Sequence, residues 1–194
     1  CRAAGIKPIL GMETYVAPHS REDRDPQRDR SPYHLVLLAE NNTGYQNLIR
    51  LATIAQLEGF YYKPRVDREV LEAYNEGLIV LSGCGASELA RYLKKGLYDK
   101  ARESARWYRE LFEDRYYLEI QDHGIPELAE VNRHLLALSE ELDLPLVATN
   151  DVHYARYEQA AIHDVLLCIQ TGKTVTEPVR MRMDGESFYL KSEE

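Results

Sequence analysis

The chain has few cysteines, no apolar run long enough to cross a membrane and no excess of basic residues. Its three cysteines, Cys1, Cys84 and Cys168, are odd in number and far apart. This pattern favours reduced thiols in a cytoplasmic protein over a disulfide framework. A membrane-spanning helix needs about 20 consecutive apolar residues, so we expect no association with a membrane.

The charge balance is acidic, with a formal net charge of −8 over 194 residues. A protein that coats nucleic acid is usually basic, so this class is disfavoured. An enzyme that holds phosphate through bound cations is compatible with acidity, because a metal site requires anionic ligands. Hydrophobic residues make up 44% of the chain, which is enough for the core of one domain.

Short strand-like runs alternate with longer helical runs, which predicts an α/β fold with a mainly parallel sheet or barrel. In such folds the chemistry lies at the carboxyl ends of the strands. Residues 21–30, eight of them charged, predict a solvated loop. The predicted strands cover residues 6–16, 34–39, 78–82, 116–121 and 145–149, with a short strand near 188, and the longer predicted helices cover 41–56, 87–94, 98–112, 126–142 and 157–171.

The Asp-x-His pair of Asp151 and His153 comes directly after an apolar run. On extended backbone both side chains would point to the same side, where they could chelate a divalent ion or activate a water. A turn-capping aspartate with a nearby surface histidine explains the tripeptide equally well.

Four further residues with ligand chemistry lie in or beside other predicted strands: Glu13, His34, Cys84 and His123. Each alone is explained by packing or by a turn, and His34 fits least well because it opens its strand. Together with the Asp-x-His pair they occupy five strand segments, which favours a shared site. Their mixed nitrogen, oxygen and sulfur donors indicate zinc, manganese or iron instead of calcium.

The segment from Gly59 to Arg65 places two cations, Lys63 and Arg65, beside three aromatic residues. Such a segment can hold a phosphate and stack a base, and an ordinary exposed aromatic loop is an equally good interpretation. His134 and His163 lie inside predicted helices and are weaker candidates for ligands.

Six blocks in order resemble the PHP (polymerase and histidinol phosphatase) family, specifically the PHP domain of bacterial DNA polymerase III alpha subunits. The blocks are Gly-Ile-Lys-Pro-Ile-Leu-Gly-Met-Glu-Thr-Tyr-Val, His-Leu-Val-Leu-Leu-Ala-Glu-Asn, Glu-Gly-Phe-Tyr-Tyr-Lys-Pro-Arg-Val-Asp, Leu-Ser-Gly-Cys, Leu-Glu-Ile-Gln-Asp-His-Gly and Ala-Thr-Asn-Asp-Val-His-Tyr. The third block resembles the replicative polymerase branch more than the phosphatase branch.

The resemblance implies a distorted seven-stranded β/α barrel with up to three divalent metals at its mouth. His123 matches a family strand-end motif and is a possible metal or substrate contact, while Lys63 and Arg65 lie in a family motif without an assigned role. Asp151 and His153 would also be catalytic. The residues that match family ligand positions are Glu13, His34, Cys84, Asp151 and His153.

The family's opening His-x-His and Thr-Asp-His motifs would precede residue 1. We therefore expect residues 1–194 to be a single partial PHP domain, a fragment of a longer polymerase chain whose first barrel strands are missing. Every ligand position that can be checked keeps a competent side chain, which favours the catalytically active subclass.

By resemblance, the full-length protein is a DNA-directed DNA polymerase, and its PHP part is a metal-dependent 3′–5′ exonuclease. Zinc or manganese, or iron, would serve the PHP site, and magnesium would serve a polymerase domain outside this chain. Expected partners are the primer 3′ end of DNA, the polymerase core of the same chain and replisome subunits such as the sliding clamp. The alternatives are a metal-stabilised structural domain without nuclease activity and, ranked lower, a small-molecule phosphatase.

Overall fold

A computed structural model describes residues 1–192, which form an open six-stranded sheet with helices packed on one face. The strand order in the sheet is β3-β1-β2-β4-β5-β6. The two edge strands, β3 and β6, do not pair with each other, so the sheet stays open. This open α/β sheet is consistent with an incomplete β/α barrel. The strands are β1 (Gly11–Val16), β2 (Tyr33–Ala39), β3 (Arg65–Val66), β4 (Leu78–Leu81), β5 (Tyr116–Gln121) and β6 (Leu146–Thr149).

Side-chain caps define where three of the helices begin. Asn41, Asp67 and Ser87 each accept a hydrogen bond from the backbone N–H three residues further on, which satisfies a donor of the first turn. The helices are α1 (Asn42–Leu57), α2 (Arg68–Ala73), α3 (Glu88–Lys94), α4 (Tyr98–Phe112), α5 (Pro126–Leu142) and α6 (Ala160–Thr171). Among the described residues, no helix combines the length and the apolar character needed to cross a bilayer.

Strand β2 runs opposite to the rest of the sheet. It pairs antiparallel with both β1 and β4, whereas β1 with β3, β4 with β5 and β5 with β6 are parallel pairs. The first residues of β2 therefore lie at the same edge of the sheet as the carboxyl ends of β1 and β4. This reversal refines the prediction of a mainly parallel sheet, since strand–helix alternation does not reveal one inverted strand.

The hydrophobic core lies between one face of the sheet and helices α1, α3, α4 and α5. Alternate strand residues such as Leu35, Leu37 and Val80 point to this face and are almost fully buried. Helix α4 adds Tyr108 and Phe112, whose rings stack on each other and are also buried. The opposite face of the sheet carries polar residues such as Glu13 and His34 together with apolar residues such as Val36 and Leu81.

Two predictions about strands are wrong. The first strand begins at Gly11, not at residue 6, because Pro8 has no N–H to pair and Ile6 and Ile9 are more than half exposed. The region near Phe188 forms a single bridge, between Tyr154 and Tyr189, and not a strand.

The charged loop 21–30 is partly buried instead of fully solvated. Asp29 is completely covered and accepts a hydrogen bond from the N–H of Asp25. The guanidinium of Arg21 pairs with Asp67, the cap of α2, and with two further carboxylates. The loop is therefore attached to the body of the fold by its own charges.

Candidate metal centre

Three side chains with ligand chemistry converge at one edge of the sheet: Glu13, His34 and Cys84. One ligand atom from each lies within 4.8 Å of the other two. The Nδ1 of His34 lies 3.6 Å from Cys84 Sγ and also forms an ion pair with the Glu13 carboxylate. A carboxylate, an imidazole and a thiol are all metal-binding groups, and this donor set fits a borderline or soft divalent ion such as zinc.

The strand register explains this convergence. Tyr15 lies directly opposite His34 in the antiparallel pair, and side chains opposite each other project from the same face. Glu13 is two residues before Tyr15 on the same strand, so it shares that face. Cys84 follows β4, whose end lies beside the start of β2, and the N–H of Ser87 donates to its carbonyl. His34 opens its strand and still reaches the site because β2 is inverted.

The charges within this cluster are strongly coupled. Contact with Cys84, followed by contact with Glu13, raises the pKa of His34 to about 9, and burial opposes this rise. The hydrogen bond from His34 in turn lowers the pKa of Glu13. His34 is therefore protonated at neutral pH when no metal is bound, and a metal ion would have to displace that proton.

Asp151 and His153 follow β6 and lie near the cluster, but not within its tight group of ligand atoms. The Nδ1 of His153 lies 4.0 Å from the Asp151 carboxylate and 2.6 Å from the Asp151 carbonyl oxygen. The charge of His153 lowers the pKa of Glu13, while burial and then the charge of Glu13 raise the pKa of Asp151. The two halves of the predicted site therefore act on each other electrostatically.

The backbone at Asp151 differs from the extended conformation expected for the Asp-x-His pair. Its φ angle is +44°, in the left-handed region that few residues other than glycine adopt, although aspartate and asparagine tolerate it. The chain turns sharply here as it leaves β6, and the N–H of His153 donates to the carbonyl of Phe188 at 2.9 Å. A strained non-glycine residue at a candidate site is consistent with a functional constraint.

His123 lies in a nearly closed slot beside this pair. Only 8% of the residue is exposed, its ring stacks on Phe188 with 4.1 Å between centroids, and its Nδ1 contacts Ser187 Oγ at 2.9 Å. Burial lowers the pKa of His123, which the charge of Asp151 partly offsets. Its Nε2 is buried without a hydrogen-bond partner among the described residues, so it remains available for a metal or a substrate.

Glu119 is a buried acid that the sequence patterns did not single out, and it connects the two halves of the site. Its Oε2 accepts from the N–H of Gly83, which precedes Cys84, at 3.1 Å. Its Oε1 accepts from Thr149 Oγ1 at 2.5 Å and from Gln121 Nε2 at 2.8 Å. The available signal was one carboxylate between the apolar residues Leu118 and Ile120 of β5.

Arg65 and Lys63 have different environments. Arg65 is fully buried, its Nε donates to the carbonyl of Gly59, and its Nη2 donates to the carbonyls of Arg21 and Asp23. It holds loops together and presents no surface to a phosphate in this conformation. Lys63 is exposed, and its ammonium lies 5.5 Å from the centre of the Tyr15 ring.

His163 of α6 lies closer to the candidate site than its helical sequence context predicted. Its ring centroid is 5.4 Å from that of His153 and 5.5 Å from that of Tyr154. His134 instead lies on α5, paired with Glu130. The sequence does not show which of the two helical histidines lies near the candidate site, because both occur in similar amphipathic patterns. Only the tertiary structure shows that it is His163.

An open β/α sheet with a nitrogen, oxygen and sulfur ligand cluster at one edge defines a class of candidate metalloproteins. The chain belongs to the PHP domain family, whose family model matches residues 1–123. It is 50% identical over its whole length to the DNA polymerase III subunit alpha of Treponema pallidum, which it covers to 17%. It is 46% identical over 99% of its length to the subunit of the same name from Thermus aquaticus, which it covers to 16%. The chain thus spans about one sixth of the length of these relatives.

Proposed function

We propose that this chain contributes a metal-dependent phosphodiesterase centre to a bacterial replicative DNA polymerase, acting as a 3′–5′ exonuclease. The observation that carries the proposal is the convergence of Glu13, His34 and Cys84, from three separate chain segments, within 4.8 Å of one another. The relatives named DNA polymerase III subunit alpha support the polymerase context.

The proposed ligands are Glu13, His34 and Cys84, joined by Asp151 and His153. A divalent metal held there supplies Lewis-acid activation of a phosphodiester and of the attacking water. The desolvated carboxylate of Asp151 has a raised pKa, which suits a group that accepts a proton from that water. The free Nε2 of His123 is suited to hydrogen bonding with a phosphoryl oxygen.

The whole protein would be a DNA-directed DNA polymerase located in the cytoplasm. The PHP centre would use zinc, manganese or iron, and magnesium would serve the polymerase domain. Its partners would be the primer 3′ end of DNA, the polymerase core of the same chain and replisome subunits such as the sliding clamp. These assignments follow from the relatives and extend beyond the part of their length that this chain spans.

The test is release of nucleotides from a 3′-labelled primer by the full-length protein, free of other exonucleases, with and without chelator. We expect chelator-sensitive release that Asp151→Asn reduces at least about 100-fold, as expected for loss of a general base. Asp143→Asn is the matched control, because Asp143 is exposed and its φ of +50° resembles that of Asp151. Equal activity of the Asp151→Asn variant and the parent protein would overturn the proposal.

A structural role for the metal is the second candidate. It is favoured by the network in which the Glu119 carboxylate connects the strand ends that carry the proposed ligands. It predicts bound metal and a chelator-dependent drop in melting temperature without any nucleotide release. Nucleotide release that depends on Asp151 would exclude it.

A further inference from the structure

An exposed surface beside the metal centre combines aromatic rings and unpaired cations. We call it the aromatic ledge, formed by Phe60, Tyr62, Lys63 and Arg30. Phe60 and Tyr62, on either side of Tyr61, are 54% and 55% exposed, and together they form an exposed aromatic patch. The Arg30 guanidinium lies 5.5 Å from the centre of the Tyr62 ring, so the cation and the aromatic face form one surface.

The turn that presents Tyr62 is held at its base by hydrogen bonds and by contacts between arginines and an aromatic ring. Arg65 fills the space beneath it and donates to the Gly59 carbonyl, and the guanidinium carbons of Arg65 and Arg24 lie 5.4 Å and 5.8 Å from the centre of the Tyr61 ring. The Tyr61 N–H also donates to the carbonyl of Lys63 at 3.0 Å. The fold therefore fixes the position of the ledge although its rings face solvent.

Tyr62 lies at the centre of the tight turn that the Tyr61 N–H and the Lys63 carbonyl close, and its ring packs edge-on against Tyr61 at 4.7 Å between centroids. Its φ is +57°, a conformation that bulky residues rarely adopt. Strain of this kind is maintained by its surroundings and is concentrated at functional sites. In this turn the Tyr62 ring remains 55% exposed, so part of its surface is open to a ligand.

The cations of the ledge are available for an anion. Among residues 1–192, Lys63 and Arg30 have no carboxylate within ion-pair distance, and each lies against an aromatic ring. The chain as a whole carries a net charge of −8, so general basicity does not explain two free cations here. Nearby acids are occupied elsewhere: Asp25 pairs with Arg28, and Asp29 is buried.

The ledge is continuous with the metal centre. Lys63 lies 5.5 Å from the centre of the Tyr15 ring, and that ring is 5.1 Å edge-on from the His34 ring. Tyr15 therefore connects Lys63 of the ledge to His34 of the metal centre. A strand whose end occupies the metal centre would have Lys63, and Tyr62 next to it in the sequence, within its path.

The geometry points to the aromatic ledge as a binding path for single-stranded nucleic acid, with bases stacked on Tyr62 and Phe60 and phosphates held by Lys63 and Arg30. Unpaired bases are required because a duplex keeps its base faces inside the stack, whereas an exposed ring can stack on any unpaired base. This inference rests on the proposed function and specifies the form in which the substrate reaches the centre.

The test is acylation footprinting of the full-length protein in chelator, with a twelve-residue oligothymidylate as the probe. Chelator stops hydrolysis, so binding is measured without catalysis. We expect the oligonucleotide to reduce acylation of Lys63 at least about fivefold and to leave exposed Lys95 unchanged. Blunt duplex DNA of the same length and polyglutamate should protect Lys63 much less.

A variant pair tests the stacking contribution. Tyr62→Asn removes the ring and tolerates the positive φ, and should weaken protection of Lys63 about fivefold or more, as expected for loss of one stacked base. Tyr45→Ala, at an exposed tyrosine on α1, should change nothing. If Lys63 is protected but the protein releases no nucleotides, the aromatic ledge binds nucleic acid and the proposed exonuclease activity is wrong. Equal protection by polyglutamate would overturn the inference that the aromatic ledge binds nucleic acid. So would an unprotected Lys63 in a protein that releases nucleotides.

Discussion

The bridging carboxylate of Glu119 leads to the most specific prediction. Its two oxygens are engaged on opposite sides, Oε2 by the N–H of Gly83 and Oε1 by Thr149 and Gln121. Glu119→Ala removes all three acceptor contacts from a residue that is only 5% exposed. The loops that carry Cys84 and Asp151 then lose the carboxylate that connects them.

The expected destabilisation follows from the donors left without partners. The Gly83 N–H and the Gln121 amide cannot readily turn to water, and each unsatisfied buried donor costs about 1–3 kcal/mol. Release of a buried carboxylate, whose pKa burial raises, offsets part of this cost. We therefore expect a loss of about 2–4 kcal/mol in the free energy of unfolding, which corresponds to roughly 5–15 °C in melting temperature.

Thermal unfolding monitored by circular dichroism, together with a zinc competition titration, measures both consequences. Zinc affinity should fall at least about tenfold, as is typical when a group that orients metal ligands is lost. The melting temperature and zinc affinity of Glu119→Gln should lie between those of the parent and the alanine variant, because the single amide oxygen cannot accept hydrogen bonds on both sides. The control is Glu110→Ala on α4, an exposed glutamate. A Glu119→Ala variant that melts and binds zinc like the parent would refute this reasoning.

Two further predictions concern charge. Without metal, the pKa of His34 is raised to about 9. The protonated His34 therefore stabilises the folded protein fully below about pH 6.5, and this stabilisation disappears as the pH rises through 9. Zinc competes with that proton, so apparent affinity should rise over this range in calorimetric titrations, and a pH-independent affinity would contradict it. Arg65→Ala should lower the free energy of unfolding by about 2–4 kcal/mol, because three backbone carbonyls lose their donor. Denaturant titration measures this loss, and Lys63→Ala, at an exposed residue, is the control that should change it little.

Much of the fold was predictable because its elements are local patterns. Periodicity and caps give helix α5 and strand β5 with the bounds that the structure has. The candidate ligands were also predictable, since acid, histidine and cysteine residues recur beside strands. The convergence of Glu13, His34 and Cys84 agrees with that interpretation, while the roles of these residues stay predictions.

The remaining features depend on contacts between distant parts of the chain. Hydrophobic periodicity does not encode strand direction, so His34 appeared to lie at the wrong end of β2. The acceptors of Arg65 include carbonyls 42 and 44 residues away, so its burial could not be inferred from neighbouring residues. Glu119 is informative only once Gly83 and Thr149 are known to flank it.

The central claim is that Glu13, His34 and Cys84 hold a divalent metal. Anomalous diffraction at the zinc absorption edge, from crystals of the protein grown with zinc, tests it most directly. We expect a peak about 2.3 Å from Cys84 Sγ and about 2.0–2.2 Å from a His34 nitrogen and a Glu13 oxygen. Zinc bound elsewhere, with His34 still paired to Glu13, would contradict the account.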